Sequence, residues 1–153
     1  MISSIIHTPL FLENAEELFN IILQKTEWSK INYFKRHISH YQFNIYELNN
    51  ILLDIEKQFS KKVIGAFLNY YEDGNEYAPY HADKYGCDTC LLSLGTTRVL
   101  RYKENTTKEN VDYILNSGDL LFIPNKINNN YKHSLLKTKK VHESRISILV
   151  FLE

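Results

Sequence analysis

The sequence is poor in the residue types that mark several protein classes. Its 18 basic and 18 acidic residues balance, which removes any global electrostatic argument for binding nucleic acid or an anionic membrane. The longest apolar run, Ile148 to Leu152, is far shorter than the roughly 20 residues of a membrane-spanning helix. The first residues lack the charged and apolar regions of an export signal. We therefore expect an intracellular, soluble protein, in cytoplasm or nucleus, with no membrane partner.

Cysteine is also scarce, and the two that occur form the pair Cys87 and Cys90. This spacing suits half a structural zinc site or a redox pair, but no second cysteine pair accompanies it. The alternative is two reduced thiols where a loop meets a strand.

The first third of the chain has helical periodicity. Asn14 can cap a helix that runs to about Lys25, with Glu17 at its third position. A second helix is predicted from apolar residues that recur on one face. These residues are Leu48, Ile51, Leu52, Ile55 and Phe59.

After Lys62 the pattern changes to short runs of β-branched, leucine and aromatic residues separated by turn residues. The predicted strands are Val63–Tyr71, Cys90–Tyr102, Val111–Leu115, Leu120–Pro124, Tyr131–Leu136 and Ile146–Leu152. This order indicates an α+β, mainly β fold, an antiparallel sandwich or jelly roll backed by two N-terminal helices. We expect a single domain over 1–153, with a helical and lid segment in 1–60 and the jelly-roll core in 61–153.

Three residues in the strand region suggest a metal site. His81 and Asp83 are two residues apart, so on a strand their side chains point to the same face. His133 lies in a later strand, which a jelly roll can bring opposite. Two histidines and one carboxylate form the facial triad of non-haem Fe(II) oxygenases. The alternative is a structural hydrogen bond between imidazole and carboxylate.

Arg145 begins the last predicted strand, which is otherwise apolar. A buried arginine needs an anionic partner, and a carboxylate matches its guanidinium in two hydrogen bonds. The distal carboxylate of 2-oxoglutarate would be such an anion. The alternative is an exposed residue at the first position of the strand.

The order of these motifs resembles that of the AlkB-like 2-oxoglutarate and Fe(II)-dependent dioxygenases. The resemblance covers residues 60–153 well and 8–28 more loosely. The matching segments are Asn69–Asn75, His81–Asp83, Leu91–Arg98, Ser117–Leu121, His133 and Arg145.

The resemblance implies a double-stranded β-helix, Fe(II) and O2 as cofactors, and 2-oxoglutarate as the cosubstrate. It implies that His81, Asp83 and His133 bind the iron and form the catalytic centre. It further implies that Asn69 and Tyr71 contact 2-oxoglutarate and that Arg145 pairs with its distal carboxylate. Ser147 is placed in the same site, where an asparagine is common in the family.

Two positions depart from the family pattern. Phe151 stands where repair enzymes have a second arginine, so one cationic contact to 2-oxoglutarate is missing. Tyr85 stands where an acidic residue reads the base, and it cannot accept a hydrogen bond as a carboxylate does.

The substrate is expected to be single-stranded DNA or RNA, bound by a monomer through local basic clusters. The short segment between Trp28 and Leu48 mixes cations with aromatics, as single-strand platforms do. A β-hairpin whose aromatics cover the core is the alternative. The candidate substrate residues are Tyr33, Arg36, His40, Tyr41 and Tyr85. A second basic cluster, expected at the opposite rim, contains Lys126, Lys132, Lys137, Lys139, Lys140 and His142.

The leading hypothesis is oxidative demethylation of N-alkylated bases by an AlkB-like enzyme. A second hypothesis keeps the chemistry and takes a protein or small molecule as the substrate of a hydroxylase or demethylase. A third, motivated by Phe151, is a non-catalytic binding module that retains the jelly roll.

Overall fold

The computed structural model describes residues 1–31 and 36–153. Two helices, α1 (Ala15–Lys25) and α2 (Tyr46–Phe59), confirm the helical predictions. Asn14 precedes α1 as expected, although its side chain makes no capping hydrogen bond. Ser60 ends α2 in the left-handed conformation, with φ of 51°. In the described part of the chain, neither helix has the length and apolar character needed to cross a membrane.

Within the described ranges, eleven strands form two antiparallel sheets, which confirms the mainly β jelly-roll fold with two helices. The seven-stranded sheet has the order β1-β9-β6-β11-β4-β3-β2, and the four-stranded sheet has the order β5-β10-β7-β8. The strands are β1 (Ile6–Thr8), β2 (Ser29–Ile31), β3 (Arg36–His40), β4 (Val63–Tyr71), β5 (Ala78–His81), β6 (Asp88–Gly95), β7 (Arg98–Glu104), β8 (Asn110–Leu115), β9 (Leu120–Ile123), β10 (Tyr131–Leu135) and β11 (Arg145–Leu152).

The alternation of side chains along β11 separates the core from the functional face. Ile146, Ile148 and Val150 point toward the helices and belong to the main hydrophobic core. Residues of the other parity, Arg145 and Ser147, face a cleft between the two sheets. The central strand therefore stabilises the fold with one face and presents polar groups to the cleft with the other.

The strand predictions differ from the structure in a few places. The predicted strand Cys90–Tyr102 is two strands, β6 and β7, because the chain turns at Gly95, where φ is 90°. A side chain at this glycine would come within 2.5 Å of the Ser144 carbonyl oxygen. The prediction also missed β1, and the segment after Trp28 contains the β-hairpin of β2 and β3 that was the alternative to a binding platform.

The two cysteines are free thiols. Cys90 is buried in the helix-facing core, and burial raises the pKa of its thiol well above the usual range. Cys87 is half-buried just before β6. This arrangement agrees with two reduced thiols where a loop meets a strand.

Candidate active site

A cleft of about 610 Å³, including its open mouth, lies between the two sheets. It contains all seven residues predicted to bind metal or cosubstrate. Its polar lining residues are Arg36, Asn69, Tyr71, His81, Asp83, Tyr85, His133, Arg145 and Ser147. Apolar residues fill the space between them, including Phe67, Leu100, Leu135 and Leu149.

His81, Asp83 and His133 converge at one wall of this cleft. His81 on β5 is directly opposite His133 on β10, and the two ring centroids are 4.3 Å apart. Asp83 lies between the two rings, with its carboxylate oxygens 3.3 Å from His81 Nε2 and 3.6 Å from His133 Nε2. The three groups can each direct one ligand atom to a common point, since these atoms all lie within 4.8 Å of one another.

Neighbouring groups orient the triad. The Pro79 carbonyl lies 2.7 Å from His81 Nδ1, so this nitrogen donates the hydrogen bond and Nε2 keeps its lone pair for a metal. Asp83 follows the end of β5 instead of lying on the strand as predicted. Its backbone N–H donates to Asn128 Oδ1 at 2.9 Å, which fixes the position of the carboxylate.

The environment of the triad favours the metal-binding protonation states of Asp83 and His133, whereas it raises the pKa of His81. Burial lowers the pKa of His133 to about 4, so its imidazole is neutral at neutral pH. Burial raises the pKa of Asp83, but the hydrogen bond with His81 and the charges of both histidines outweigh it, and the net pKa is lowered. Burial lowers the pKa of His81, but its hydrogen bonds to Asp83 and Pro79 raise it overall.

This donor set fits Fe(II). Two imidazole nitrogens and one carboxylate oxygen would hold the ion, and all three residues line the cleft. Such a facial arrangement is the ligand set that non-haem Fe(II) oxygenases use, because it leaves adjacent coordination positions open.

Arg145 lies in the same cleft and is almost fully buried, with 1% of its surface exposed. Its Nε donates to Ser93 Oγ at 3.0 Å, while its Nη2 is buried without a hydrogen-bond partner. Burial, together with the charge of Arg98, lowers its pKa to about 10, so it is still charged at neutral pH. Among the described residues no carboxylate forms an ion pair with it, and an anionic ligand would satisfy this arginine.

The other predicted cosubstrate residues share a wall with Arg145. In the sheet, Arg145 is opposite Tyr71 and Ser147 is opposite Asn69. The Arg145 guanidinium lies 5.7 Å from the centre of the Tyr71 ring. The period-2 pattern of β4 and β11 therefore brings these four side chains to the cleft together, as the sequence predicted.

Two aromatic side chains that depart from the family pattern meet in space. Tyr85 and Phe151 pack together, with ring centroids 4.6 Å apart. Tyr85 lines the cleft and is half exposed. The tyrosine after the metal-binding motif thus lines the cleft while it packs against the phenylalanine near the end of β11.

The candidate substrate residues lie in different parts of the molecule. Arg36 lines the cleft, and its Nε donates to Asn69 Oδ1 at 2.7 Å. His40 is exposed at the end of β3, where it packs edge-on against the cleft residue Phe67. The structure places Tyr41 elsewhere, because it is buried in the core and its hydroxyl bonds the start of α2 at Ile45. Tyr33 lies outside the described residues.

The second basic cluster contributes no described residue to the lining of the cleft. Lys132 alternates with His133 on β10 and so points to the opposite face, where it lies opposite Lys103 of β7 in the sheet. The following loop folds back on the β4–β5 turn, since Thr138 N–H donates to the Gly74 carbonyl at 2.8 Å. Of the residues that the structure describes, no lysine lines the cleft.

One important residue, Arg98, was missed by the sequence analysis. It is 2% exposed, and its guanidinium donates to the carbonyls of Asp73, Glu76 and Leu136. The available signal was an arginine within the predicted strand Cys90–Tyr102, at the point where β7 begins.

Comparisons with known proteins agree with this geometry. The model of the 2OG-Fe(II) oxygenase superfamily matches residues 9–150. A crystal structure of a Pseudomonas putida prolyl-4-hydroxylase has a similar fold, with a TM-score of 0.75 and 12% identity over 97% of this chain and 91% of that one. The uncharacterized protein R406 of Acanthamoeba polyphaga mimivirus is 27% identical over 90 residues, which is 56% of this chain.

The matched part spans 47% of the mimivirus protein, about half its length. The superfamily match covers most of the chain, and it implies Fe(II), 2-oxoglutarate and O2 as cofactor and cosubstrates. The triad provides a ligand set for the iron within that match. This chain therefore belongs to the 2OG-Fe(II) oxygenase superfamily.

Proposed function

We propose that this chain is an AlkB-like 2-oxoglutarate- and Fe(II)-dependent dioxygenase that oxidatively demethylates N-alkylated bases in single-stranded DNA or RNA. The observation that carries the proposal is the meeting of six residues in one cleft, in the chain order of the AlkB-like motifs. These residues are Asn69, Tyr71, His81, Asp83, His133 and Arg145.

In this proposal His81, Asp83 and His133 hold the iron, and Arg145 binds the distal carboxylate of 2-oxoglutarate through its unpaired Nη2. Tyr71, Asn69 and Ser147 line the wall that orients the cosubstrate. When bound, Fe(II) with 2-oxoglutarate and O2 supplies a decarboxylation to succinate and CO2 that is coupled to hydroxylation of a substrate C–H bond. A methyl group hydroxylated on a base nitrogen then leaves as formaldehyde, and the N–H of the base is restored.

The mouth of the cleft supports a planar substrate. Tyr85, packed against Phe151, offers aromatic surface in the cleft that contains the triad, and an unmodified or alkylated base can stack on such a surface. The apolar side chains of Phe67 and Leu149 add apolar surface to the same cleft. These residues position a ring and exclude water from the reacting carbon.

The test is turnover with defined oligonucleotides. Succinate and formaldehyde should form when the protein is given Fe(II), 2-oxoglutarate and methylated single-stranded DNA or RNA, and the demethylated base should be detected by mass spectrometry. His81→Ala should abolish both products. His7→Ala is a matched control, because His7 contacts the Asp119 carboxylate at 3.0 Å outside the cleft. Turnover that is equal in His81→Ala and wild type would contradict the proposal.

A second candidate function, hydroxylation or demethylation of a protein or small molecule, is favoured by one observation. Among the described residues, no lysine of the second basic cluster lines the cleft. The described lining therefore offers no lysine that could bind the phosphates of a nucleic acid. Tyr85 in place of an acid points the same way.

Salt dependence separates the two candidates. Binding through several phosphate contacts weakens steeply between about 50 and 200 mM salt because counterions are released. A neutral peptide or small molecule should bind with little change over this range. Oligonucleotide affinity that does not respond to salt would favour the second candidate.

A further inference from the structure

Two arginines of the cleft can balance the charge of 2-oxoglutarate. The molecule carries two carboxylates, and Arg145 is the cation at one end of the lining. Among the described lining residues, the one other arginine or lysine is Arg36. It comes from β3, a strand of the N-terminal hairpin, and not from the central strand that carries Arg145.

The register of the sheet explains why Arg36 reaches the cleft. On β3, Ile38 is directly opposite Asn69, and His37 is opposite Tyr70. Opposed residues of an antiparallel pair point to the same face, and the face alternates along the strand. Arg36 therefore shares the face of Ile38 and Asn69, which is the cleft face of β4.

The contact with Asn69 also fixes how that side chain is presented. A guanidinium has donors only, so the 2.7 Å contact from Arg36 Nε must be to the carboxamide oxygen of Asn69. The amide nitrogen of Asn69 is then directed away from Arg36, where it can donate to an acceptor in the cleft. Arg36 and Asn69 thus form one donor unit.

Arg36 and Arg145 lie at different places along the wall of the cleft. Arg36 contacts Asn69, which is opposite Ser147 in the sheet. Arg145 is instead opposite Tyr71, two residues further along β4. The two arginines can therefore bind different ends of one small ligand.

We propose that Arg36 is a cosubstrate-binding residue that, with Asn69, receives the 2-oxo-acid end of 2-oxoglutarate, while Arg145 receives the distal carboxylate. This assignment rests on the proposed cosubstrate site. It moves Arg36 from the substrate residues expected from the sequence to the cosubstrate site, and it gives the hairpin a part in cosubstrate binding. Arg36 is half-buried and anchored on Asn69 inside the cleft, which suits a small dianion better than a phosphate at the rim.

The test uses two ligands and metal-loaded protein without turnover. Mn(II) replaces Fe(II), and dissociation constants are measured by isothermal titration calorimetry for 2-oxoglutarate and for 2-oxobutyrate, which lacks the distal carboxylate. Arg36→Ala should raise both constants by a similar factor of about ten or more, since a hydrogen bond to a charged group is lost. Arg145→Ala should raise the constant for 2-oxoglutarate and leave that for 2-oxobutyrate within about twofold.

Two further variants complete the test. Lys30→Ala is the matched control, because Lys30 is a cation on the same hairpin that pairs with Glu76 and does not line the cleft. It should bind both ligands as wild type does. Arg36→Gln keeps a hydrogen-bond donor toward Asn69 and removes the charge, so it should also raise the dissociation constants of both ligands. It replaces Arg36→Ala if that variant does not fold.

Three results would overturn the proposal. The first is that the Arg36 variants bind both ligands with wild-type affinity. If these variants also have a raised KM for the oxidised substrate, Arg36 belongs to the substrate site. Another is a loss restricted to 2-oxoglutarate, which would place Arg36 at the distal end. If wild-type protein with Mn(II) binds no 2-oxoglutarate, the proposed cosubstrate site itself fails, and this outcome is distinct from equal binding by wild type and variant.

Discussion

Two buried arginines lie close to the ring of Tyr71, and they differ in the groups that satisfy their hydrogen-bond donors. Arg98 and Arg145 are 2% and 1% exposed, and their guanidinium groups lie 5.6 and 5.7 Å from the centre of the Tyr71 ring. Arg98 donates to three backbone carbonyls and feels the charges of Asp73 and Glu76. Among the described residues, the Arg145 side chain has one hydrogen bond, to Ser93, and a buried Nη2 with no partner.

The difference separates structure from function. A buried charge is stable only when hydrogen bonds or counter-charges replace its lost hydration. Arg98 obtains most of them from the chain itself, since its two terminal nitrogens donate to three backbone carbonyls while its Nε is buried without a partner among the described residues. It thus holds together the turn after β4, β5 and the end of β10. Arg145 leaves part of its hydrogen-bonding capacity toward the cleft, where a carboxylate can use it. We infer that the first arginine serves folding and the second serves the ligand.

The largest expected effect is on stability and comes from Arg98. Arg98→Met should lower the free energy of unfolding by about 3–5 kcal/mol, because three carbonyls lose their donor in a buried region. Urea unfolding followed by circular dichroism measures this loss. A loss below about 1 kcal/mol would show that these hydrogen bonds do not hold the turn.

Arg145→Met should give the opposite result. Removing a charge that has one neutral partner costs little, so the free energy of unfolding should stay within about 1 kcal/mol of wild type or increase. Binding of 2-oxoglutarate should weaken about 100-fold or more, since a bidentate carboxylate contact is lost. Equilibrium dialysis with Mn(II) measures the binding, and unchanged affinity would remove Arg145 from the cosubstrate site.

Lysine substitutions should sharpen the contrast. A lysine cannot reach three separate carbonyls in the planar geometry of Arg98, so Arg98→Lys should still lower stability by about 2 kcal/mol. At Arg145, a lysine retains the charge for a carboxylate, and 2-oxoglutarate affinity should fall only about tenfold. Equal losses of stability in Arg98→Lys and Arg145→Lys would contradict the different roles of the two arginines.

The smallest predicted effect is that of Ser93→Ala. Ser93 Oγ accepts the one hydrogen bond of Arg145, and it orients the guanidinium without touching the cleft. Its loss should weaken 2-oxoglutarate binding about threefold, in line with a single neutral hydrogen bond. A titration of wild type and variant side by side would detect it, and a change above about 30-fold would mean that Ser93 does more than orient Arg145.

Much of this site could be predicted from the sequence because strand periodicity is a local signal. Asn69 with Tyr71, and Arg145 with Ser147, share faces by the period of two, and the structure brings all four to the cleft. The strands β4 and β11 are long, apolar and bounded by turns, so they were predicted almost to the residue.

The remainder depended on tertiary contacts that no local pattern contains. Tyr41 resembles an exposed aromatic in sequence, but it packs into the core beside α2. Lys132 is adjacent to His133 in the chain, yet alternation places it on the far face. Arg36 was expected at the substrate, and only the pairing of β3 with β4 shows that it contacts Asn69.

One measurement tests the central claim most directly, namely the melting temperature of both methionine variants in Mn(II), with and without 2-oxoglutarate. Arg98→Met should melt well below wild type and still be raised by the ligand. Arg145→Met should melt near wild type and show no rise. The account is contradicted if Arg145→Met melts as low as Arg98→Met while retaining the full increase with 2-oxoglutarate.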